Sequence, residues 1–364
     1  MEMKVNPLNN WVKTSRKVLV IGGPCSVETP EQFLSTAIEM KKLNVDILRG
    51  GIWKPRTRPG GFEGKGIEAL KWIKDVKQAT GLPFATEVGS PEHVELALKY
   101  EVDVLWIGAR TTVNPFTMQH IADALKGVDV PVMVKNPVNP DLALWIGGIE
   151  RIYNAGIKNI GAIHRGFTAF EKAKYRNLPN WQIAMELKRQ FPDLPLICDP
   201  SHIAGDRAYI EEVCQRAMDL DYDGLMIESH INPAVALSDA SQQVTPESLG
   251  LILNNLIIKS ETSTNAEFIS QLEKLRTQID KLDKELVEVL SARMNLADKI
   301  GEYKKDNNVT TFQQGRWDEI YNTRREWAGK MNLNADFVSE VFKSVHSESV
   351  RRQEEVITNL SEKV

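Results

Sequence analysis

One short stretch of the sequence concentrates positive charge and glycine. It reads RGGIWKPRTRPGGFEG, from Arg49 to Gly64, and holds four cations, five glycines and one carboxylate, Glu63. Arg and Lys side chains bind phosphate oxygens, and glycines let backbone N–H groups approach an anion. The stretch therefore fits a pocket for a phosphorylated small molecule, although a solvated loop or a nucleic-acid patch has a similar composition. The formal net charge of -4 gives no general attraction to nucleic acid.

A divalent metal site is a second chemistry that the residue types allow. The candidate ligands are Cys25, His202, Glu228 and Asp239. One thiolate, one imidazole and two carboxylates suit Mn, Fe, Co or Zn better than Ca or Mg. Because these residues are spread over the chain, an inert buried thiol and a loop histidine fit the spacing equally well. The three cysteines, an odd number at irregular spacing, argue against a disulfide framework.

These side chains need secondary-structure elements that bring them together. Short apolar runs alternate with amphipathic helical stretches from about residue 17 to residue 258, and runs that are apolar on both faces are typical of buried parallel strands. The predicted strands are residues 17–23, 46–51, 83–88, 104–109, 131–136, 159–166, 195–201 and 224–230. Eight β/α units predict an α/β fold, a (β/α)8 TIM barrel, with a doubly wound open sheet as the alternative.

Reactive side chains lie at or just after the end of each predicted strand. They are Cys25, Arg49, Glu87, Arg110, Lys135, Arg165, Asp199 with His202, and Glu228. In a barrel the C-terminal ends of all strands face one mouth, where active sites lie. The cations that we expect there are Arg49, Lys54, Arg56, Arg110, Lys135 and Arg165. This number exceeds the need of one phosphate, so we expect two phosphorylated substrates, one of which also carries a carboxylate. A surface ion pair is the alternative for any single Arg.

The sequence pattern changes after the eighth unit. Residues 259–265, KSETSTN, are polar and predict a linker. This linker would separate a barrel domain, residues 1–258, from a second domain, residues 266–364. Apolar residues at spacings of three and four predict a long helix at the start of the second domain: Leu272, Leu275, Ile279, Leu282, Leu286, Val289, Leu290 and Ile300. No β-rich run follows, so we predict an all-α domain of roughly three helices.

Several polar residues of this helical region could bind a ligand. They are Arg276, Arg293, Lys304, Arg316, Ser349 and Gln353. Arg276 and Arg293 are about five helical turns apart, so they cannot reach the same small ligand from one straight helix. An antiparallel dimer of the long helices would bring one Arg from each chain into one site. Solvated cations on a helix surface are the alternative.

The barrel motifs closely resemble those of 3-deoxy-D-arabino-heptulosonate 7-phosphate (DAHP) synthase, type I beta. The motifs are GGPCSVE, RGGIWKPRT, IGARTT, VMVKNP, HRGF, ICDPSHIAGDR and GLMIESHINPAVALSDASQQ, and the resemblance covers about residues 16–258. It implies metal ligation by Cys25, His202, Glu228 and Asp239. It implies that phosphoenolpyruvate is held by Arg49, Lys54, Arg110, Lys135 and Arg165, and erythrose 4-phosphate by Arg56, Thr57 and Asp199. The implied catalytic residues are Lys54, His202 and Cys25, and the implied reaction is an aldol-like condensation that releases phosphate.

The helical region resembles the all-helical (AroQ) chorismate mutases. The motifs are LRTQIDKLDKELVEVLSARMNLADKIGEYK, GRWDEI and FKSVHSESVRRQ, and the resemblance covers about residues 267–357. It implies that the two carboxylates of chorismate are bound by Arg276, Arg293 and Arg316, that Lys304 and Gln353 stabilise the ether oxygen, and that Ser349 contacts a carboxylate or hydroxyl. The implied catalytic residues are Lys304, Gln353, Arg276 and Arg293. Trp317 stands where a hydroxyl-binding Glu is common, and Gln313 stands where some members have Asp.

The two resemblances together imply a bifunctional shikimate-pathway enzyme. Feedback inhibition of the barrel by chorismate or prephenate in the helical domain is an expectation, because the first barrel motif begins near the N-terminus and leaves no room for a regulatory domain there. One alternative makes the helical domain mainly a sensing module with weak catalysis. Another changes the aldose, as in the related octulosonate 8-phosphate synthases, although the KPRT motif argues against it. We also expect a homodimer or a higher oligomer.

The sequence carries no sign of export or of membrane insertion. No apolar run approaches the roughly 20 residues that a membrane span needs. The first residues lack the apolar core of a secretory signal. We therefore expect a cytoplasmic protein that binds neither nucleic acid nor a membrane.

Overall fold

The strands of the first part of the chain close into a barrel. The structure, a computed structural model, describes residues 3–55, 60–169, 173–260 and 262–359. Its strands are β1 (Leu19–Gly23), β2 (Ile47–Arg49), β3 (Phe84–Val88), β4 (Val104–Ile107), β5 (Val132–Lys135), β6 (Ile160–His164), β7 (Phe167–Thr168), β8 (Asn177–Leu178), β9 (Leu196–Cys198) and β10 (Gly224–Glu228). Eight of them form a closed parallel barrel in the order β1-β10-β9-β6-β5-β4-β3-β2, and β7 pairs with β8 in a separate antiparallel sheet. The barrel prediction is confirmed, and the open sheet is excluded because the ends of the sheet pair with each other.

Helices connect the strands and form the C-terminal part of the chain. They are α1 (Pro30–Lys42), α2 (Ile67–Leu70), α3 (Ile73–Thr80), α4 (Pro91–Lys99), α5 (Ala109–Thr112), α6 (Pro115–Ala124), α7 (Leu142–Asn154), α8 (Trp181–Gln190), α9 (Pro200–Ala204), α10 (Ile210–Asp219), α11 (Pro246–Asn255), α12 (Ala266–Asp306), α13 (Gln314–Lys330) and α14 (Ala335–Asn359). Within the described ranges, no helix combines the length and apolar character that a membrane span requires.

Three helices of the barrel begin with the same local signal. A Ser or Thr at the N-cap is followed by Pro and then Glu at the starts of α1, α4 and α11. The hydroxyl of Thr29 accepts a hydrogen bond from the backbone N–H of Gln32 at 3.1 Å, which satisfies one of the donors that a helix start leaves unpaired. Proline fits the first helical turn because its missing N–H is not needed there. The sequence therefore sets where these helices begin.

The inside of the barrel is a packed core. It is filled by Leu19, Ile21, Ile47, Ala85, Trp106, Met133, Ile163, Ile197 and Met226. Leu8, Trp11 and Val12, from the segment before β1, pack against this inner core. Because apolar side chains fill the inside of the barrel, the polar side chains that could bind a ligand lie at the strand ends.

Gly23 allows the first two strand ends to approach closely. Its φ is +145°, and a Cβ on it would lie 2.2 Å from the carbonyl oxygen of Arg49. Only glycine avoids both this clash and the strain of a positive φ. The close approach brings Cys25, two residues later, beside the Arg49 guanidinium.

The C-terminal unit is a three-helix structure. Residues 1–261 and residues 262–364 form two compact units, and in the second α14 packs against both α12 and α13. Leu275, Ile279, Leu282 and Leu286 of α12 are each more than half exposed. The first half of α12 therefore presents its apolar stripe without a covering element among the described residues.

Candidate active sites

Three of the four candidate metal ligands meet at the C-terminal mouth of the barrel. Cys25 follows β1, Glu228 ends β10, and Asp239 lies in the loop after β10. Their ligand atoms all lie within 4.8 Å of one another. Oε1 of Glu228 is buried and has no hydrogen-bond partner within the described part of the chain, although Nη2 of Arg49 lies 3.2 Å away. A soft sulfur ligand beside two carboxylates fits a divalent transition metal.

His202 lies beside this group rather than inside it. Asp199 is the N-cap of α9, and its carboxylate contacts both the backbone N–H of His202 and the ring Nδ1, at 3.1 and 3.0 Å. The other ring nitrogen, Nε2, is 3.9 Å from Oε1 of Glu228. Asp199 therefore holds the ring through Nδ1 and leaves Nε2 for a fourth ligand position, as carboxylates commonly do for metal-binding histidines.

The protonation of the thiol depends on a cation. Burial, and next the charge of Glu228, raise the pKa of Cys25 to about 12. Nζ of Lys54 lies 3.0 Å from Sγ and acts in the opposite direction. A divalent ion at this position would reverse the preference, because a coordinated thiol loses its proton.

Three of the predicted cations line one cavity at the same mouth. A cavity of about 420 Å³ is lined by Arg110, Lys135 and Arg165. Burial lowers the pKa of Arg165 to about 10, and its Nη1 donates to Asn177 at 2.8 Å. Lys135, which is buried, and Arg165, which is half-buried, are therefore partly shielded from water, and they interact more strongly with an anion than fully hydrated cations would.

Arg49 and Lys135 form the buried floor of this region. The Arg49 guanidinium stacks 4.9 Å from the centroid of Trp106, and its Nε and Nη1 are buried without a hydrogen-bond partner among the described residues. Lys135 pairs with Asp199 at 2.7 Å, and both side chains are almost fully buried. Buried donors without partners are costly, so the Arg49 nitrogens are suited to meet an arriving oxyanion.

The structure describes the opening cationic stretch except for residues 56–59. Lys54 lies at the metal group, as described above, and Arg110 donates to the carbonyl oxygen of Pro55 at 3.0 Å. Arg56 and Thr57 lie outside the described residues. Their predicted contact with a second phosphate stays a prediction.

Sequence reasoning missed several polar residues that support the metal group. Gln242 donates to Oε2 of Glu228 at 2.7 Å, and Gln243 accepts from the backbone N–H of Cys25 at 2.9 Å. Arg176 donates to Oδ1 of Asp239 at 3.1 Å. The two adjacent glutamines of the SDASQQ motif could have been predicted to support the site, because they follow the candidate ligand Asp239 closely in the sequence. Arg176 carried no signal, since it is 63 residues away from Asp239 in the chain.

The C-terminal unit has its own cationic cavity, of about 390 Å³. It is lined by five of the predicted residues: Arg293, Lys304, Arg316, Ser349 and Gln353. Nη1 of Arg293 donates to Oγ of Ser349, and Nζ of Lys304 donates to the carbonyl oxygen of Thr311 at 2.6 Å. Three of the predicted cations, from two helices, therefore converge on one space large enough for a small dianion.

Arg276 is not brought to this cavity. It lies on the exposed half of α12 and pairs with Glu273 at 2.9 Å. Two further lining residues, Arg324 and His346, were missed by sequence reasoning. Trp317 does not line the cavity but stacks on the ring of His346, with centroids 4.5 Å apart.

Comparison with known proteins identifies a family for each part of the chain. Residues 11–263 match the DAHP synthetase I family, and residues 275–354 match chorismate mutase type II. The phospho-2-dehydro-3-deoxyheptonate aldolase of Thermotoga maritima is 32% identical over 225 residues, which are 62% of this chain and 64% of that protein. The chain thus spans less than two thirds of the length of that relative.

A second relative and a solved structure extend the comparison. The 2-dehydro-3-deoxyphosphooctonate aldolase of Wolinella succinogenes is 26% identical over 270 residues, 67% of this chain and 100% of that protein. A crystal structure of the Thermotoga maritima DAHP synthase superimposes with a TM-score of 0.61 at 30% identity and covers 70% of this chain and 72% of that one. The chain belongs to the DAHP synthetase I family, and its C-terminal region carries a chorismate mutase type II domain.

Proposed function

We propose that this chain is a bifunctional enzyme of the shikimate pathway. The barrel would condense phosphoenolpyruvate with erythrose 4-phosphate to DAHP and phosphate, and the helical unit would rearrange chorismate to prephenate. The observation that carries the proposal is that each unit gathers several cations around one cavity, within the range that matches the corresponding family. We take residues 1–258 as the barrel domain, 259–265 as the linker and 266–364 as the mutase domain.

The barrel residues would bind two anionic substrates side by side. Arg110, Lys135 and Arg165 would bind the phosphate and carboxylate of phosphoenolpyruvate, and Arg49 would complete this floor with its unpartnered nitrogens. Holding two mutually repelling anions in contact is an orientation and electrostatic contribution. The enol carbon would attack the aldehyde carbon, water would add at C2, and the phosphate would leave.

Cys25, Glu228 and Asp239, with His202 adjoining, would hold a divalent metal. When bound, the ion would supply Lewis acidity to the aldehyde carbonyl. Lys54 lies 3.0 Å from the Cys25 sulfur and 3.2 Å from the Cys25 carbonyl oxygen. Its ammonium would donate to the aldehyde oxygen as negative charge develops there. Erythrose 4-phosphate would also contact Arg56, Thr57 and Asp199.

A five-carbon aldose phosphate is the second candidate substrate of the barrel. The identity to an octulosonate aldolase across that protein's full length favours it. The test follows phosphoenolpyruvate loss with Mn and either erythrose 4-phosphate or arabinose 5-phosphate, with and without a chelator. Chelator-sensitive consumption with the four-carbon sugar supports the proposal. Consumption with the five-carbon sugar alone would replace it by the second candidate, and no consumption with either would reject both.

The helical unit would act without covalent catalysis. Arg293 and Arg316 would bind the carboxylates of chorismate, Ser349 would contact a carboxylate or hydroxyl, and Lys304 and Gln353 would stabilise the ether oxygen as its bond breaks. This is stabilisation of developing charge in a preorganised site. A direct assay of chorismate loss distinguishes it from the alternative, a sensing module that binds the ligand but barely catalyses.

Arg276 would enter this site from a second copy of the chain. It lies on the half of α12 whose apolar side chains are exposed, among them Leu282, 62% exposed, and Leu286, 56% exposed. A second copy running antiparallel would cover that stripe and carry its own Arg276 to the cavity. The test mixes inactive Arg276→Ala and Arg293→Ala chains. Recovered mutase activity supports shared sites, because a mixed dimer regains one intact site, and no recovery would reject them.

Feedback between the two reactions is the regulatory part of the proposal. Chorismate or prephenate bound in the helical unit would slow the condensation, and the fusion of the two activities in one chain motivates this. The condensation rate is measured with and without prephenate in the intact chain and in Arg293→Ala. Inhibition that disappears in the variant supports the idea, and a rate unaffected by either ligand rejects it.

A further inference from the structure

His346 faces the helical cavity, and the function proposed above does not use it. It stands on α14 three residues before Ser349 and seven before Gln353, so all three lie on one helix face, and all three line the cavity. Its Nε2 is buried and has no hydrogen-bond partner in the described part of the chain. Leaving a buried polar atom unpaired costs free energy, so the position is suited to a partner that arrives with the ligand.

Trp317 fixes the orientation of this ring. The two rings are stacked with their centroids 4.5 Å and their planes 20° apart, and Phe312 contacts the His346 ring edge-on at 6.1 Å. Trp317 occupies the position where a hydroxyl-binding Glu is common among the chorismate mutases that this region resembles. His346 lines the cavity and Trp317 does not. Trp317 therefore acts as a support for a different polar group.

The charges around the ring favour an acceptor role. Arg293 and Lys304 line the cavity from α12, Arg316 and Arg324 line it from α13, and its described lining contains no carboxylate. Burial, followed by the charges of Arg293 and Lys304, lowers the pKa of His346. The ring is therefore neutral at pH 7, and one nitrogen keeps a lone pair. The cations suit two carboxylates, but they offer no acceptor to a hydroxyl.

We propose that His346 is a specificity-determining residue of the helical site, whose Nε2 accepts a hydrogen bond from the ring hydroxyl of chorismate or prephenate. The inference rests on the proposed mutase function and names a contact within that site. A neutral acceptor would bind the hydroxyl without placing a negative charge near the two carboxylates of the ligand.

The test compares wild type, His346→Phe and His346→Gln in the full-length chain. Phe keeps a ring that stacks on Trp317 but lacks the acceptor, whereas Gln supplies an amide oxygen. Calorimetric binding of prephenate and rearrangement of chorismate are both measured. We expect His346→Phe to lose about tenfold in affinity and in kcat/KM, and His346→Gln to stay within about threefold of wild type. His120→Phe, an exposed histidine on α6, is the control and should leave both values unchanged.

The possible outcomes separate this inference from the function on which it rests. Equal affinities of wild type and His346→Phe, at equal thermal stability, would overturn it. So would an equal loss for a chorismate analogue without the ring hydroxyl. If wild type binds prephenate but does not rearrange chorismate, the mutase function fails and the binding data still decide on His346. If wild type neither binds nor reacts, both are overturned.

Discussion

The buried ion pair between Lys135 and Asp199 should couple barrel stability to the active-site floor. The two groups lie 2.7 Å apart, with side-chain exposures of 4% and 0%. Burial alone would raise the pKa of Asp199, but His202 and Lys135 outweigh burial and hold that pKa well below its usual range. The carboxylate is therefore ionised, and Lys135 without it would be a buried ammonium with no counter-ion among the described residues.

Asp199→Asn removes the charge with little change of volume. Breaking a buried pair from one side typically costs about 3–5 kcal/mol, because the remaining ammonium has no counter-ion. For a unit of this size that corresponds to a fall in Tm of about 10 °C. Lys135→Met should also destabilise, though less, because Asp199 keeps its contact with His202. The loss of unfolding free energy in the double variant should be smaller than the sum of the two single losses, by about 1–3 kcal/mol.

Urea unfolding followed by tryptophan fluorescence measures this cycle. Six of the eight tryptophans lie before residue 262, so the signal reports mainly on the barrel. The control is Asp123→Asn, which breaks the exposed pair with Lys126, also 2.7 Å long, and should leave the midpoint unchanged. If Asp199→Asn unfolds at the wild-type midpoint, or if the two losses simply add, the pair does not stabilise the floor as described.

Three further predictions follow from individual side chains. Asp239→Ala should weaken Mn binding by about tenfold or more in calorimetry, since it removes one of three grouped donors; unchanged affinity would contradict the site. Burial lowers the pKa of His164 to about 4, from a usual value near 6.5, so between these pH values the unfolded chain binds a proton that the folded barrel excludes. The free energy of unfolding should therefore fall as the pH drops from about 6.5 to about 4, by about 3 kcal/mol in total. In urea unfolding, His164→Gln should show a smaller fall over the same pH range. Leu282→Glu should shift sedimentation towards the monomer and lower mutase activity, because it puts charge on the apolar stripe of α12; a dimer of wild-type strength would show that this stripe is not the interface.

Most of the fold could be predicted from the sequence because the patterns that indicate strands, helices and helix starts are local. Alternating apolar strands and amphipathic helices predicted the barrel, and the Ser/Thr-Pro starts marked where three helices begin. The boundaries were less accurate. The strand predicted over residues 195–201 is only Leu196–Cys198, since Asp199 caps the next helix and ends the extended run.

The sequence predicted which residue types form the candidate sites, but not how those residues are arranged in space. Cys25, Glu228 and Asp239 meet because barrel closure places β1 beside β10, a pairing between the two ends of the unit that no local pattern specifies. The same closure left His202 adjoining rather than inside the group. The contact of Arg176 with Asp239 could not be predicted from the sequence, because it depends on the path of the loop that carries Arg176.

The sequence by itself determined the alternation of elements, the change to helices after residue 258 and the residue types available for chemistry, because these follow from local periodicity and side-chain chemistry. Only the tertiary structure decided which of those side chains share a cavity. It brought Arg293, Lys304 and Arg316 together but left Arg276 exposed, and it placed His346 on the cavity wall with Trp317 behind it. The physical reason is that helix packing, not spacing along the chain, sets which faces of α12, α13 and α14 meet.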